Sequence, residues 1–169
     1  TEQRAYEARI VAEQERYQRI FDVAGVSLWE LDWTRVKALF DRWRAEGIDD
    51  PAAHCMADAG NLDRVIAKIR VIRVNRETLR LYEAPSREAL LRALPTLVLP
   101  EARAQWGVIL RAFANGESRV EVERPALTLT GRRVEQLISF SFGERAERAE
   151  SVLVSLVDVT PLKQAAAVL

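Results

Sequence analysis

Two adjacent residues, His54 and Cys55, are the single histidine and the single cysteine of this 169-residue chain. A zinc site made by protein side chains needs three or four ligands at defined spacing, and this pair has no second cluster to join. A Ser–His–acid hydrolase would have to use His54, but no GxSxG segment accompanies it. We therefore expect no metal site and no nucleophilic catalysis, and we interpret His54 as a residue on a helix surface.

Gln136 is the polar residue with the clearest chemical consequence, because it stands in an apolar row. Alternation over residues 132–142 predicts a strand whose inward face carries Val134, Gln136, Ile138, Phe140 and Phe142. Burial of an unpaired amide costs about 1–3 kcal/mol, so this side chain needs a partner. One interpretation is a small ligand that binds Gln136 and is enclosed by Trp29, Leu79, Trp106, Phe113, Ile138 and Phe140. The alternative is a backbone or water partner inside a filled core.

The overall composition excludes several other classes of function. Lys and Arg together number 25, as do Asp and Glu, so the chain lacks the net basic charge on which duplex binding relies. The glycines form no phosphate-binding GxGxxG or GxxxxGK[ST] segment. No apolar run approaches the ~18–20 residues that cross a bilayer. We expect no nucleic-acid partner and no membrane contact by this segment, and the lone cysteine is consistent with a cytoplasmic protein.

Residues 1–22 are predicted to form one long helix, since they are charged and contain neither glycine nor proline. Their apolar side chains recur at spacings of three and four residues, at Tyr6, Ile10, Tyr17 and Ile20. A helix of about 21 residues is about 31 Å long, which is longer than a small domain needs for its own cover. This length favours a homodimer through the N-terminal helix. The alternative is a solvated helix that lies on its own domain.

Strand and helix signals alternate along the rest of the chain. Residues 26–33 and 70–74 are typical of strands, and amphipathic helical stretches occupy about 34–68 between them. The segments 119–129, 132–142 and 151–158 follow a period of two and predict an antiparallel sheet. Thr160–Pro161 predicts a capped helix over 161–169. The other expected N-caps are Thr34, Asp50, Asn61, Asn75 and Ser86.

Four segments in this order resemble the PAS sensor domains of bacterial signalling proteins, such as histidine kinases or diguanylate cyclases. They are QRIFDVAGVSLWELD, VNRETLRLYEAPSREALL, GRRVEQLISFSF and SVLVSLVDVTPLKQAA. The resemblance implies an α+β fold with a five-stranded antiparallel sheet, in the order 2-1-5-4-3, covered by short helices. It divides the chain into an N-terminal helix at 1–22, a PAS domain at 23–160 and the start of a linker helix at 161–169. PAS domains usually join their first two strands by a tight turn, so residues 34–68 would be a helical insert.

The resemblance also bears on cofactors and on signal output. Heme-binding members carry an axial histidine on the long helix before the third strand, and the matching residues 101–116 contain none. Flavin-binding light sensors carry an Asn-Cys-Arg-Phe-Leu-Gln motif, and residues 86–97 contain no cysteine, because Cys55 lies in the insert. We therefore expect neither heme nor flavin and identify no cofactor. In the resemblance, Asp158 and Thr160 form the signal junction between the last strand and the exit helix.

These features together predict a non-catalytic sensory and dimerisation module. It would bind a small molecule or a partner and pass the signal through its terminal helices to an effector domain outside this chain. One alternative is a purely structural dimerisation domain with a filled core. The other is a small cone-shaped α+β enzyme of the ketosteroid-isomerase type, which would have to use Glu30 or Asp32 as its acid or base.

Overall fold

A computed structural model describes residues 1–143 and 146–168, and a sheet lies at its centre. The strands are β1 (Ser27–Asp32), β2 (Arg70–Val74), β3 (Arg119–Leu127), β4 (Arg133–Ser141) and β5 (Val152–Asp158). All neighbouring strands are antiparallel, in the order β2-β1-β5-β4-β3. The predicted strand order is confirmed.

Helices pack on one face of this sheet and extend from both ends of the chain. They are α1 (Glu2–Val23), α2 (Thr34–Ala45), α3 (Pro51–Met56), α4 (Ala59–Ala67), α5 (Arg76–Leu81), α6 (Arg87–Leu97), α7 (Arg103–Ala114) and α8 (Thr160–Val168). Helices α2, α3 and α4 lie between β1 and β2. The predicted segment 161–169 ends one residue outside the described part of the chain. Over residues 1–143 and 146–168, no helix is both long enough and apolar enough to cross a membrane.

Side-chain caps explain where several helices begin. Asp50, Asn75 and Ser86 each accept a hydrogen bond from the backbone N–H three residues later, as predicted. The carboxyl end of α7 also agrees with the sequence, because Asn115 caps it and Gly116 adopts a positive φ of 77°. The local signals therefore locate these helix ends within a residue or two.

The predicted caps of α2 and α4 are wrong, and in each case a nearby aspartate accepts the hydrogen bond. Asn61 lies inside α4, because the Asp58 carboxylate accepts a hydrogen bond from the Gly60 N–H at 2.7 Å and starts the helix earlier. Thr34 is the first residue of α2 rather than its cap. Its own N–H donates to the Asp32 carboxylate at 2.8 Å. A carboxylate competes well for a free N–H at a helix start, where the helix dipole also favours negative charge.

The face of the sheet that meets the helices is apolar, as the alternation on β4 predicts. The residues on this face of β4, and Phe142 directly after it, are each at most 2% exposed: Val134, Gln136, Ile138, Phe140 and Phe142. Their counterparts on β5 are also buried: Val152, Val154 and Leu156. Gln136 is therefore a polar side chain within the main core of the protein.

Aromatic rings fill one end of this core. Trp33 is fully buried, and its ring centroid lies 5.0 Å from that of Phe113 and 5.3 Å from that of Phe142, in edge-on geometry. Helix α2 covers the same region through Phe40, whose centroid is 6.1 Å from that of Phe113. Polar side chains are concentrated near the other end, where β4 begins, beside the start of α7.

Candidate functional site

Gln136 has only half of its hydrogen-bonding capacity satisfied. Its side chain has no exposed surface, and its Oε1 accepts a hydrogen bond from the Tyr82 hydroxyl at 3.3 Å. Its Nε2 has no hydrogen-bond partner among the described residues. Two residues lie directly across from Gln136, namely Arg124 on β3 and Asp158 on β5. Gln136 thus lies between a partly buried cation and the end of the last strand.

Arg124 contributes a positive charge to the same part of the core. It follows Val120 and Val122 at period two along β3, so its side chain points toward the helices. The guanidinium carbon lies 5.6 Å from the ring centroid of Trp106, and Nη1 is buried without a partner among the described residues. Burial lowers the pKa of the guanidinium, and the nearby Tyr82 hydroxyl partly offsets this effect. The described ion pairs do not include Arg124.

The predicted ligand-binding residues belong to one core, but they divide between its two ends. Trp106 packs edge-on against Phe140 at 6.3 Å, and Trp29 against Tyr82 at 5.8 Å. Ile138 is fully buried, while Leu79 is partly buried at the margin of the core. Phe113 instead lies two turns beyond Trp106 on α7, among the aromatic rings around Trp33. The site around Gln136 is therefore smaller than the predicted set.

Two residues of the site were missing from the sequence-based prediction. Arg124 follows two valines at period two, and this spacing alone would have placed it on the inward face. Tyr82 ends α5 as its C-cap residue and is 3% exposed, so its hydroxyl group is carried into the core. Nothing local in the sequence indicates that this hydroxyl reaches Gln136, because the two residues are 54 positions apart.

Comparison with known proteins identifies the architecture. No protein-family model and no curated protein matches the sequence. The PAS domain of an HTR-like protein from Haloarcula marismortui is similar, with a TM-score of 0.55 at 14% identity over 92% of this chain and 98% of that one. A PAS domain of a two-component sensor histidine kinase gives 0.52 at 18% identity, over 87% and 96%. The chain has the PAS fold.

A third structure extends the same likeness. The LOV protein of Rhodobacter sphaeroides gives a TM-score of 0.54 at 14% identity, over 87% of this chain and 68% of that one. At such identities the likeness concerns the fold of the chain. It confirms the PAS-like sheet order expected from the sequence, and it does not identify a ligand for this chain.

A second buried amide, that of Asn75, joins three parts of the domain and is fully satisfied. Its Oδ1 accepts hydrogen bonds from the Leu28 N–H at 2.9 Å and from the Thr78 N–H at 3.1 Å. Its Nδ2 donates to the carbonyls of Phe21 at 3.0 Å and Val26 at 2.8 Å. One side chain thereby fastens the end of α1, the first strand and the start of α5 together.

Helix α1 is anchored only by its last turn, and the rest of it is exposed. Phe21 is 3% exposed and stacks on Tyr17 at 6.3 Å, with the Arg73 guanidinium about equally close to both rings. Burial and the nearby Glu30 carboxylate raise the pKa of Tyr17. The four residues predicted to mediate dimerisation lie on exposed surface: Tyr6 (63%), Ile10 (38%), Tyr17 (44%) and Ile20 (57%). Apart from the contacts of Tyr17 with Arg73 and Glu30, no element of the described chain covers this stripe.

The predicted junction at the end of β5 is held to β4 by side-chain hydrogen bonds. The Asp158 carboxylate accepts from the Thr160 N–H at 2.9 Å, and the Thr160 hydroxyl accepts from the Glu135 N–H at 2.8 Å. Thr160 is thus the first residue of α8 and binds the sheet, and its predicted role as the helix cap is wrong. Lys163 forms an ion pair with Glu123 on β3 at 2.7 Å. The exit helix is therefore tied to the two strands that carry Gln136 and Arg124.

The carboxylates required by the enzyme alternative lie on the opposite face of the sheet. Ser27, Trp29 and Leu31 fill the inward positions of β1, so Glu30 and Asp32 point away from the core. Glu30 pairs with an arginine of β2 at 3.4 Å, and Asp32 pairs with another at 3.1 Å. Although burial alone would raise it, hydrogen bonds from Thr34 and Arg70 leave the pKa of Asp32 below its usual value.

His54 and Cys55 occupy α3, on the side of the domain formed by the helices between β1 and β2. The His54 ring packs edge-on against Trp43 at 4.6 Å. The Cys55 side chain has no exposed surface, and burial raises the pKa of its thiol to about 11. Within residues 1–143 and 146–168, no group of three or more His, Cys, Asp or Glu side chains could hold a metal ion.

Proposed function

We propose that this PAS domain is a non-catalytic sensory module that binds a small molecule in its core and transmits the signal through its terminal helices. The buried and unpaired Nε2 of Gln136 carries the proposal. A buried donor without a partner costs about 1–3 kcal/mol, so a polar ligand that accepts its hydrogen bond would be stabilised there. Similarity to PAS domains of signalling proteins supports a sensory role.

The proposed output runs from Gln136 through the junction to α8. Asp158 is the cross-strand neighbour of Gln136, and it accepts the first N–H of α8. A ligand that moves Gln136 would therefore act on the strand end that positions the exit helix. Such a ligand shifts the output only if it binds the two helix arrangements with different affinities.

Dimerisation is proposed to occur between the α1 helices of two copies. Helix α1 has 22 residues, about 33 Å at 1.5 Å per residue, and its single buried residue is Phe21. The exposed stripe follows the three-and-four spacing that two helices use to pack together. Because Asn75 ties the end of α1 to β1 and α5, a change in the helix pair would be transmitted to the sheet.

The effector is proposed to be a separate domain of a cytoplasmic signalling protein, such as a histidine kinase or a diguanylate cyclase. No flavin or heme is assigned to the core. The buried Cys55 lies on α3, between β1 and β2, rather than on the helices between β2 and β3, and the His54 ring packs against Trp43. These placements support a ligand other than a cysteine-linked flavin or a histidine-ligated heme.

A purely structural dimerisation domain is the second candidate, and the closed core favours it. Gln136, Ile138 and Val134 have no exposed surface, and the aromatic end is packed ring against ring. This candidate predicts that water satisfies the Gln136 amide. It also predicts that no metabolite stabilises the protein.

Native mass spectrometry of the purified 169-residue chain distinguishes the two candidates. We expect a reproducible mass adduct of a few hundred daltons or less that is lost on denaturation. The matched control is Gln136→Leu, which removes the amide and retains the apolar row. An adduct-free wild type whose melting temperature responds to no compound in a metabolite library would refute the sensory proposal.

Light scattering tests the proposed dimer separately. We expect the full chain to be a dimer, and a variant lacking residues 1–22 to be a monomer. Tyr6→Glu combined with Ile10→Glu should have the same effect, while retaining the whole helix and its anchor at Phe21. A monomeric full chain, or a dimer that survives both changes, would show that α1 is not the interface.

A further inference from the structure

Three buried hydrogen-bond donors lie close together at the polar end of the core, and none has a partner among the described residues. They are the Trp106 Nε1, the Arg124 Nη1 and the Gln136 Nε2. Arg124 faces Gln136 across the β3–β4 ladder, which places their Cβ atoms about 4.5–5.5 Å apart. The Arg124 guanidinium in turn lies over the Trp106 ring at 5.6 Å. We refer to these three side chains as the donor cluster.

The donor cluster has no carboxylate partner among the described residues. The Tyr82 hydroxyl, which donates to the Oε1 of Gln136, is the polar group that interacts with the Arg124 guanidinium. Across the described residues, no carboxylate forms an ion pair with Arg124. An unpaired indole N–H also occurs at Trp33, but that group lies alone among aromatic rings. Among the unpaired buried donors of residues 1–143 and 146–168, those of the donor cluster are the ones that stand beside a positive charge. A group that satisfies them would therefore bring both acceptor atoms and negative charge.

We propose that the donor cluster binds a small organic carboxylate, a proposal that rests on the sensory function above and specifies its ligand. Two carboxylate oxygens match the planar fork of the Arg124 guanidinium, and they can accept from the Gln136 amide at the same time. Apolar side chains around the cluster, including Trp29 and Ile138, would enclose a short hydrocarbon part.

The position of the donor cluster in the sheet explains both how a ligand could enter and how its binding could affect α8. β3 is an edge strand, and Arg124 is the partly exposed member of the cluster, so the ligand enters beside this residue. Gln136 connects Arg124 on one side with Asp158 on the other. The bound carboxylate would therefore lie one strand away from the junction to α8.

Calorimetric titration of the full 169-residue chain tests the proposal with defined probes. The probes are acetate, butyrate and benzoate, each compared with its neutral amide at constant ionic strength, and inorganic phosphate as a second anion. We expect at least one carboxylate to bind and its amide to bind about tenfold or more weakly, as expected for a charge-assisted hydrogen bond. Arg124→Met should lower the affinity for the carboxylate by a similar factor. Arg119→Met, on the outward face of the same strand, should leave this affinity unchanged.

The outcomes separate this proposal from the general sensory one. Equal binding of carboxylate and amide, preferential binding of phosphate, or a carboxylate affinity unchanged in Arg124→Met would overturn the carboxylate assignment. If none of the probes binds but a neutral molecule copurifies with the protein, the sensory function stands and the carboxylate assignment falls. Should Arg124→Met fail to fold, Gln136→Leu takes its place. This variant removes one donor and keeps the charge, and a carboxylate affinity unchanged in it would also overturn the assignment.

Discussion

Asn75 should be the most sensitive polar residue of the domain, because one side chain completes hydrogen bonds of three separate elements. Asn75→Ala removes the cap of α5 and leaves the backbone N–H of Leu28 and the carbonyls of Phe21 and Val26 without their partner. Asn75 is 1% exposed, so water does not readily replace the lost bonds. The variant should therefore destabilise the whole domain and release α1 from it.

The expected magnitude follows from the groups that are left unpaired. Loss of a helix cap costs about 1 kcal/mol, and each buried group without a partner costs about 1–3 kcal/mol. If the end of α1 relaxes so that water reaches the Phe21 carbonyl, one cap and two unpaired groups remain, and the total is at least about 3 kcal/mol. This is a large share of the about 5–15 kcal/mol by which a domain is stable. At about 2–4 °C per kcal/mol, the melting temperature should fall by about 6–12 °C.

Denaturant unfolding and calorimetry measure this loss, with two companion variants. Asn75→Asp keeps the acceptor and loses the two donated hydrogen bonds, so its stability should lie between those of the wild type and Asn75→Ala. Asn61→Ala is the control, because that amide donates a single long hydrogen bond of 3.5 Å to the His54 carbonyl. If Asn75→Ala were no less stable than Asn61→Ala, the proposed connection between α1 and the sheet would be wrong.

Three further changes test the local structure. Gly131→Ala should lower the free energy of unfolding by about 1 kcal/mol, as measured with denaturant, because φ is 88° there. Gly25→Ala is the control and should be neutral, since a Cβ has equal space at both positions and Gly25 has no positive φ. Thr160→Val removes the acceptor of the Glu135 N–H and should increase hydrogen exchange at that amide and in α8; unchanged exchange would contradict the anchoring of α8. Burial raises the pKa of the Cys55 thiol to about 11, above the ~8.5 of an unfolded chain. The stability that this thiol contributes is therefore complete below about pH 8.5 and should be lost as the pH rises toward 11. The wild type should lose more stability over this range than Cys55→Ala. Equal losses in the two proteins would refute the raised pKa.

The strands of the sheet could be predicted from the sequence, because the alternation of apolar and polar residues is a local pattern that repeats along each strand. Alternation located β4 to within a residue at each end, and the amphipathic pattern from residue 34 correctly indicated α2, whose apolar residues are buried: Val36, Leu39, Phe40 and Trp43. The missed caps have a different origin. Two candidate residues stood within a few positions of each other at α4, and their free energies as caps differ too little for a pattern to choose between Asp58 and Asn61.

The candidate site was harder to predict, because the partners of the two buried amides, Asn75 and Gln136, depend on what surrounds each of them in the fold. Asn75 follows the end of β2, where backbone groups of α5 and β1 are free to bind it, so its bonds are made within the fold. Gln136 lies inside β4, between β3 and β5, where the sheet ladder already occupies the neighbouring backbone groups. Its amide must therefore find a side chain or a bound molecule, and Tyr82 supplies one partner only. The unpaired donor is thus a consequence of placing a glutamine in the middle of a central strand, and it is the feature that a carboxylate ligand would satisfy.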